Sequence, residues 1–283
     1  MAKLFKLYDY DKQGPGVDKN ERKKKGIFAF FEIYFRNFWN FAKMGPIYWL
    51  TSVLVITNGF AKVGMTHIAR SAVREKHAFL LSDYIDTIKK NWKQALALGS
   101  LNLVASAITV IDVWYFWGSI TQGESMNAVS VIGLAVAFFL LASITYIKYY
   151  IWTLTITFDL PIKTLIKNSF HFVFLNMARN VFVSIVLGAI YVGLYILALV
   201  NAFCFIIAAA LLIFVVPGFK LSLVQANTFP VIKKYMIDPY YKEHKGEDIE
   251  KRRALGLDIS DDELEAKNDT PVFSDTISKG QEE

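Results

Sequence analysis

Residues able to do chemistry are sparse in this chain. Its four histidines, His67, His77, His171 and His244, are scattered, and its only cysteine is Cys204. No H-E-x-x-H or H-x-x-x-D pair and no Cys/His cluster offers the spacing of a metal site. No G-x-x-x-x-G-K-[ST] loop cradles a nucleotide phosphate, so any coupling to ATP has to come from a partner. What stands out instead is charge inside apolar sequence. Each such charge costs several kcal/mol unless it is paired, hydrated or snorkelling to an interface. Lys148, among Tyr146, Tyr149 and Tyr150, reads as a snorkelling side chain, and Asp112, beside Trp114, Phe116 and Trp117, as a headgroup-level residue. Lys43, Lys62, His67 and Arg70 form the candidate intramembrane polar cluster, where burial against another subunit or an aqueous cleft would relieve their cost. No catalytic, cofactor-binding or metal-binding set emerges, and the chain reads as a non-enzyme.

The elements that must carry these residues are apolar and long. Hydrophobic residues make up 54% of the 283, and the mean hydropathy is +0.34. Val181 to Phe219 holds no charge. At about 1.5 Å per residue it is roughly twice what a ~30 Å hydrocarbon layer needs, so it must turn once. Lipid leaves backbone polar groups no partner but the chain itself, and the period-2 pattern of a barrel is absent. The expected fold is therefore all-α: a polytopic transmembrane helix bundle of about six membrane segments. They fall at about 36–57, 60–73, 94–115, 128–152, 181–200 and 202–224, with Asn58-Gly59 turning between the first two. The second is short and either crosses or re-enters. Domain-level reading gives an N-terminal segment at 1–26, a transmembrane helical domain at 27–236 and a charged tail at 237–283. No cleaved signal peptide is read in the charged N-terminal segment.

Charge placement orients the bundle. Residues 1–26 carry eight Lys/Arg, 70–93 six, 159–179 three and 220–234 three, while the intervening turns at 58–59, 118–127 and 201 carry none. Short basic loops stay in the cytoplasm, so both termini are expected there, in a multi-pass protein of the cell membrane. The positive charges flank spans, so nucleic acid is not an expected partner and the lipid bilayer is. Leu81, Tyr84, Ile85, Ile88 and Trp92 form one helical stripe, and Ile162, Leu165, Ile166, Phe170 and Val173 another, predicting two short amphipathic cytoplasmic helices. Tyr84, Ile88, Lys89, Lys90, Trp92, Ile166, Lys167 and Phe170 are the candidate partner-docking residues. Similar fragments at 88–92 and 166–170 record either an internal duplication or convergent interface chemistry. Asn102, Asn201 and Asn227 are candidates for hydrogen bonds between helices, Gly188, Gly193 and Ala208 to Ala210 for close helix approach, and Pro217 for a bend. The tail after Tyr241 is polar and acidic, expected to be disordered, with one capping box at Ser260 and Glu263.

One further pattern combines these parts. Gly14-Pro15-Gly16-Val17, Phe31-Glu32, Phe35-Arg36, Phe38-Trp39, Gly64-Met65-Thr66, His77-Ala78-Phe79, Ser82-Asp83 and Lys89-Lys90-Asn91-Trp92-Lys93-Gln94 follow in order between residues 14 and 94, within a resemblance that covers residues 8 to about 236. In this the chain resembles the YesL-type family of bacterial membrane proteins, a domain of unknown function found mostly in Gram-positive bacteria. Where that family often places a proline near the end of the first span, this chain has Val53-Leu54-Val55-Ile56, leaving any kink there in doubt. Members commonly occur beside carbohydrate ABC importers and glycan-degrading enzymes. The resemblance implies a non-catalytic accessory subunit of an ABC-type carbohydrate or oligosaccharide importer, with the permease subunits as partners. A self-contained small-solute transporter or channel is the alternative. No cofactor is implied.

Overall fold

The structure is a computed structural model that describes residues 27–53, 57–74, 78–121 and 128–243. Expectations for the N-terminal segment, His77 and the tail with its Ser260–Glu263 cap lie outside the described residues. Among those described, every regular element is helical. In chain order they are α1 (Ile27–Arg36), α2 (Phe38–Ser52), α3 (Asn58–Val73), α4 (Leu80–Thr121), α5 (Ala128–Thr157), α6 (Ile162–Leu175), α7 (Met177–Val200), α8 (Ala202–Phe214), α9 (Val216–Ile232) and α10 (Asp238–Glu243), with a π-helical turn at Lys233–Ile237 before the last.

Three helices, α4, α5 and α7, are long and apolar enough to cross a membrane. A fourth span results if α8 and α9 are taken together, and these are bent by 45° at their junction. Such a set is consistent with a membrane protein. The 15-residue α2 and the 16-residue α3 are shorter than the roughly 20 residues a hydrocarbon core asks for, so three to four spans replace the expected six. The bend forms where Pro217, which lacks an N–H, opens α9. It divides the expected sixth segment near its middle rather than at its inner end.

The first expected amphipathic helix is not a separate element. Residues 81–92 are the start of α4, which continues for 42 residues, about 63 Å at helical rise. From Leu80 to Leu98 no glycine or proline interrupts the hydrogen-bond ladder, and Lys89, Lys90 and Lys93 are compatible with helix. The second stripe does form its own helix, α6, opened by Pro161, whose carbonyl accepts from the Thr164 and Leu165 amides. At the opposite end of the bundle Asn201 turns the chain from α7 to α8. Its side chain accepts from the Cys204 amide at 2.8 Å, so it caps a helix rather than bridging two.

The short α3 sits at the centre, enclosed by α2, α4, α5 and α9. Ala61, Val63, Met65 and Ala69 are fully buried. Thr57 donates to the Thr51 carbonyl and closes the α2–α3 hairpin. Close approach comes from Gly59, which lies against the Ala95 carbonyl and Gly99 of α4, and from Gly45, which lies against the backbone of Ile213 and Phe214 at the end of α8. Gly218 is packed on the Phe41 side chain. Gly188 and Gly193 have open space beside them, so the expected close helix approach at these two does not occur. On α1, the Tyr34 ring packs between Phe41 and Phe219. Burial pushes its phenol up to about 12, which keeps it neutral.

The core is concentrated at the end of the bundle that holds α6 and the basic loops. Toward the other end the helices expose apolar faces: Val104, Ile108 and Ile111 on α4, Ile132 and Phe139 on α5, Val192 and Ile196 on α7, Phe203 and Ile206 on α8. In water such surface would be a liability; in lipid it is the natural outer face. Replacing Gly59 by Val, whose Cβ would meet the Ala95 backbone, is expected to cost at least the ~1–3 kcal/mol of an overpacked core. Gly188→Ala should leave the melting temperature in detergent level or slightly higher, and a thermal unfolding series on both variants checks the contrast.

Candidate functional site

The first turns of α3, the middle of α5 and the start of α9 each bring one lysine to the same place. Lys62, Lys148 and Lys220 lie close enough to repel one another electrostatically. Lys62 Nζ stands 5.6 Å from the centre of the Trp152 ring, and Lys220 Nζ stands 5.9 Å from that of Tyr191. Lys148 donates from Nζ to Ser106 Oγ at 2.7 Å. Among the described residues no carboxylate pairs with any of the three. Ring faces attract a cation by about 0.5–2 kcal/mol, which is less than the several kcal/mol a charge costs at this kind of depth.

Lys62 and Lys220 face a cavity of about 250 Å3, lined also by Tyr48, Trp49, Ser52, Asn58 and Tyr191. The hairpin's closed end supplies the Tyr48 to Asn58 wall, α9 supplies Lys220, and α7 supplies Tyr191. Trp49 is held by its indole N–H donating to the Leu212 carbonyl at 3.2 Å. Asn58 Oδ1 is buried with no donor in reach. Trp49 and Tyr191, 41% and 40% exposed, stand at the rim, so the cavity opens sideways between α2 and α7.

The four residues expected to cluster in the first hairpin do not come together. Lys43 is exposed on α2. Lys62 and Arg70 are eight residues apart on α3, about 12 Å along its axis, and serve different surroundings. Arg70 is 6% exposed and donates from Nη1 to Thr157 Oγ1, while its Nε finds no partner. His67 lies beside Arg70, Arg74 and Asp83. Of the four, Lys62 alone lines the cavity, together with Lys220 and with Lys148 close by, two lysines that the sequence reading put elsewhere. Lys148, read as a snorkelling side chain, is nine residues from the end of α5 and turned to Ser106 of α4. Lys220, counted with the basic loop at 220–234, lies one turn into α9. Equal depth from the basic end was the available signal, hidden because it needs the helix boundaries.

A separate polar group is wholly structural. Tyr150 donates to Asn180 Oδ1 at 2.9 Å, Asn176 donates to the Tyr150 hydroxyl at 3.0 Å and to Asn227 Oδ1 at 2.9 Å, and Asn227 donates to Asn180 Oδ1 at 2.9 Å. These bonds tie α5, α7 and α9. Asn227 thus has the expected inter-helix role, whereas Asn102 donates to Leu98 of its own helix.

Among the docking candidates, Lys89, Lys90, Trp92, Lys167 and Phe170 are exposed, and Ile88 and Ile166 are half-buried. Tyr84 is not available to a partner. It is 1% exposed, its ring covers Gly64, and its hydroxyl is 2.6 Å from Thr51 Oγ1. The stripe that contains Tyr84 is split by the turn of α4 against α3, which takes Tyr84 inward and leaves Leu81, Ile85 and Trp92 outside. Among the described residues no group of three His, Cys, Asp or Glu side chains could hold a metal ion.

The stretch that builds the hairpin and most of α4 is also the stretch with a relative. Residues 46–113 match the family described as protein of unknown function, DUF624. That is the family to which YesL belongs. It includes Lys62, His67, Arg70 and the α3–α4 contact at Gly59. No curated protein and no solved structure matches the chain.

Removing one of three mutually repelling charges should stabilise the empty protein. Lys62→Met is expected to raise the melting temperature in detergent by a few degrees, about 1 kcal/mol, in the direction seen when buried charges give way to apolar side chains. The same change at Lys43, which is exposed, should do nothing.

Proposed function

We propose that the chain is a non-catalytic integral membrane subunit that docks beside the permease subunits of an ABC-type carbohydrate importer in a bacterial cell membrane. In this reading the basic end and both termini face the cytoplasm, following an asymmetry of eighteen Lys/Arg against none once Arg70 and Lys220, which lie within α3 and α9, are set aside. The α2–α3 hairpin re-enters from that side, since both helices are too short to cross and α3 is enclosed on four sides.

The observation that carries the proposal is a pair of grooves at the basic end. One, about 890 Å3, runs between α4 and the α5–α6 connection and is lined by Lys90, Trp92, Lys93, Phe158 and Asp159. The other, about 570 Å3, lies between the α6–α7 junction and the end of α9, with Phe174, Arg179, Lys234 and Tyr235. Exposed Trp92, Phe174, Tyr235 and Arg179 around concave surface are residue types enriched at interfaces, and the lysines beside them suit a polar rim. The long apolar faces of α4, α5, α7 and α8 leave room for lateral helix contacts with a permease.

Affinity purification of the full chain in mild detergent should recover permease subunits, and Trp92→Ala with Lys90→Ala should reduce that recovery several-fold. Repeated recovery of the chain alone removes the proposal. The lysine-lined cavity favours a second reading, a self-contained transporter or channel for a small solute. Reconstituted alone in liposomes, the chain should then move a solute, and silence across sugars and ions counts against it.

A further inference from the structure

The cavity between α2, α3, α7 and α9 has a chemistry that docking does not use. Lys62 and Lys220 make no hydrogen bond or ion pair within the described protein, and Lys148 stands behind them with a single hydroxyl partner. The Tyr48 and Tyr191 hydroxyls lie near one another and also have no hydrogen-bond partner among the described residues. All of these groups can donate. Two lysines and two phenols therefore line the cavity, with a third lysine close by and no carboxylate among them, between helices whose outer faces are apolar.

We propose that this cavity binds a phosphoryl group attached to a larger molecule. A metal cation is repelled by the three ammonium groups. A neutral sugar could bond to the tyrosines but would leave the charges unmatched. A carboxylate supplies one negative charge and two oxygens, whereas a phosphoryl group supplies at least three acceptor oxygens and up to two charges, closer to what the three lysines and two phenols offer. Inorganic phosphate alone would leave much of the roughly 250 Å3 empty. The Trp49 indole at the rim gives an attached organic part an apolar wall to lie on. Ammonium groups in a site shielded from bulk water hold an anion more strongly than surface lysines do, because screening is weak there.

Two sources carry this group: the headgroup of a phospholipid entering through the sideways opening, and a free phosphorylated solute. The inference does not depend on the importer reading, because the cavity is built by α2, α3, α7 and α9 while the docking grooves lie at the basic end. The test uses the full chain in mild detergent, in two arms. In the first, native mass spectrometry after delipidation looks for a phospholipid retained one per chain, followed by exchange with nanodiscs containing phosphatidylglycerol. In the second, glycerol 3-phosphate, inorganic phosphate and uncharged glycerol are titrated against tryptophan fluorescence. Binding of a phosphate-bearing probe in either arm is expected, with the arm that responds naming the source.

Lys62→Gln with Lys220→Gln should weaken that binding at least tenfold, Lys62→Arg with Lys220→Arg should retain most of it, and Lys43→Gln should leave it unchanged. Equal elution volume and a melting temperature no lower than the parent show that the glutamine variant is folded. Should it fail that check, the contrast is read instead between the arginine pair and the single Lys220→Gln. Absence of phosphate-bearing ligand in both arms, or binding indifferent to these lysines, overturns the proposal.

Discussion

Everything in this bundle is arranged around a helix that cannot stand alone in lipid. α3 is 16 residues long and carries Lys62, His67 and Arg70, so it is too short to cross a hydrocarbon layer and too polar to face one. Its only stable position is inside protein, and the neighbours are shaped to allow it. Gly59 lets α4 come to backbone distance, Gly45 lets α2 close against α8, and Tyr84 reaches over Gly64 to bond Thr51 at the hairpin's far side. The enclosure has a consequence for charge. A helix wrapped on four sides holds its cations at fixed points, so Lys62 meets Lys148 and Lys220 whether or not anything neutralises them. Arg70, at the other end of the helix, donates to Thr157 among the described residues.

Much of the architecture was readable from residue type, because the signals are local. An uncharged run from Val181 to Phe219 with Asn201 in it predicts two helices and a turn, and α7, the Asn201 cap and α8 are that arrangement. Pro161 and Pro217 mark helix starts for the same reason that proline lacks a donor. Segment count failed where locality failed. Hydropathy alone cannot distinguish a helix that is apolar because lipid surrounds it from one that is apolar because protein does, and α3 belongs to the second kind. The stripe at 81–92 misled in a related way. Its periodicity is real, but its inward member, Tyr84, faces α3, and the helix it begins does not end before the membrane segment.

The site was legible in kind and not in membership. That charges within apolar sequence matter follows from their cost, and this singled out Lys62, which the structure places at the cavity. Assigning it to a cluster with Lys43, His67 and Arg70 rested on nearness in sequence, whereas its neighbours in space come from 86 and 158 residues further along the chain, on α5 and α9. A three-helix meeting of this sort leaves no trace in any single window.

The buried asparagines and the buried lysines make an instructive contrast at nearly the same level of the bundle. Asn176, Asn180 and Asn227 close a ring of hydrogen bonds with Tyr150, each donor answered by an acceptor. A network completed in this way fixes helix positions and asks for nothing more. Lys62, Lys148 and Lys220 are the reverse: like charges, one hydroxyl and two ring faces between them, beside an open cavity. If packing were their only role, methionine or leucine would fill the same volume without repulsion, and the aromatic walls would accept either. A protein that completes its polar bonds a few turns away has the means to complete these too, with one aspartate or glutamate on α2 or α7. Leaving the charges unmatched is therefore best explained by an anion that arrives from outside the chain.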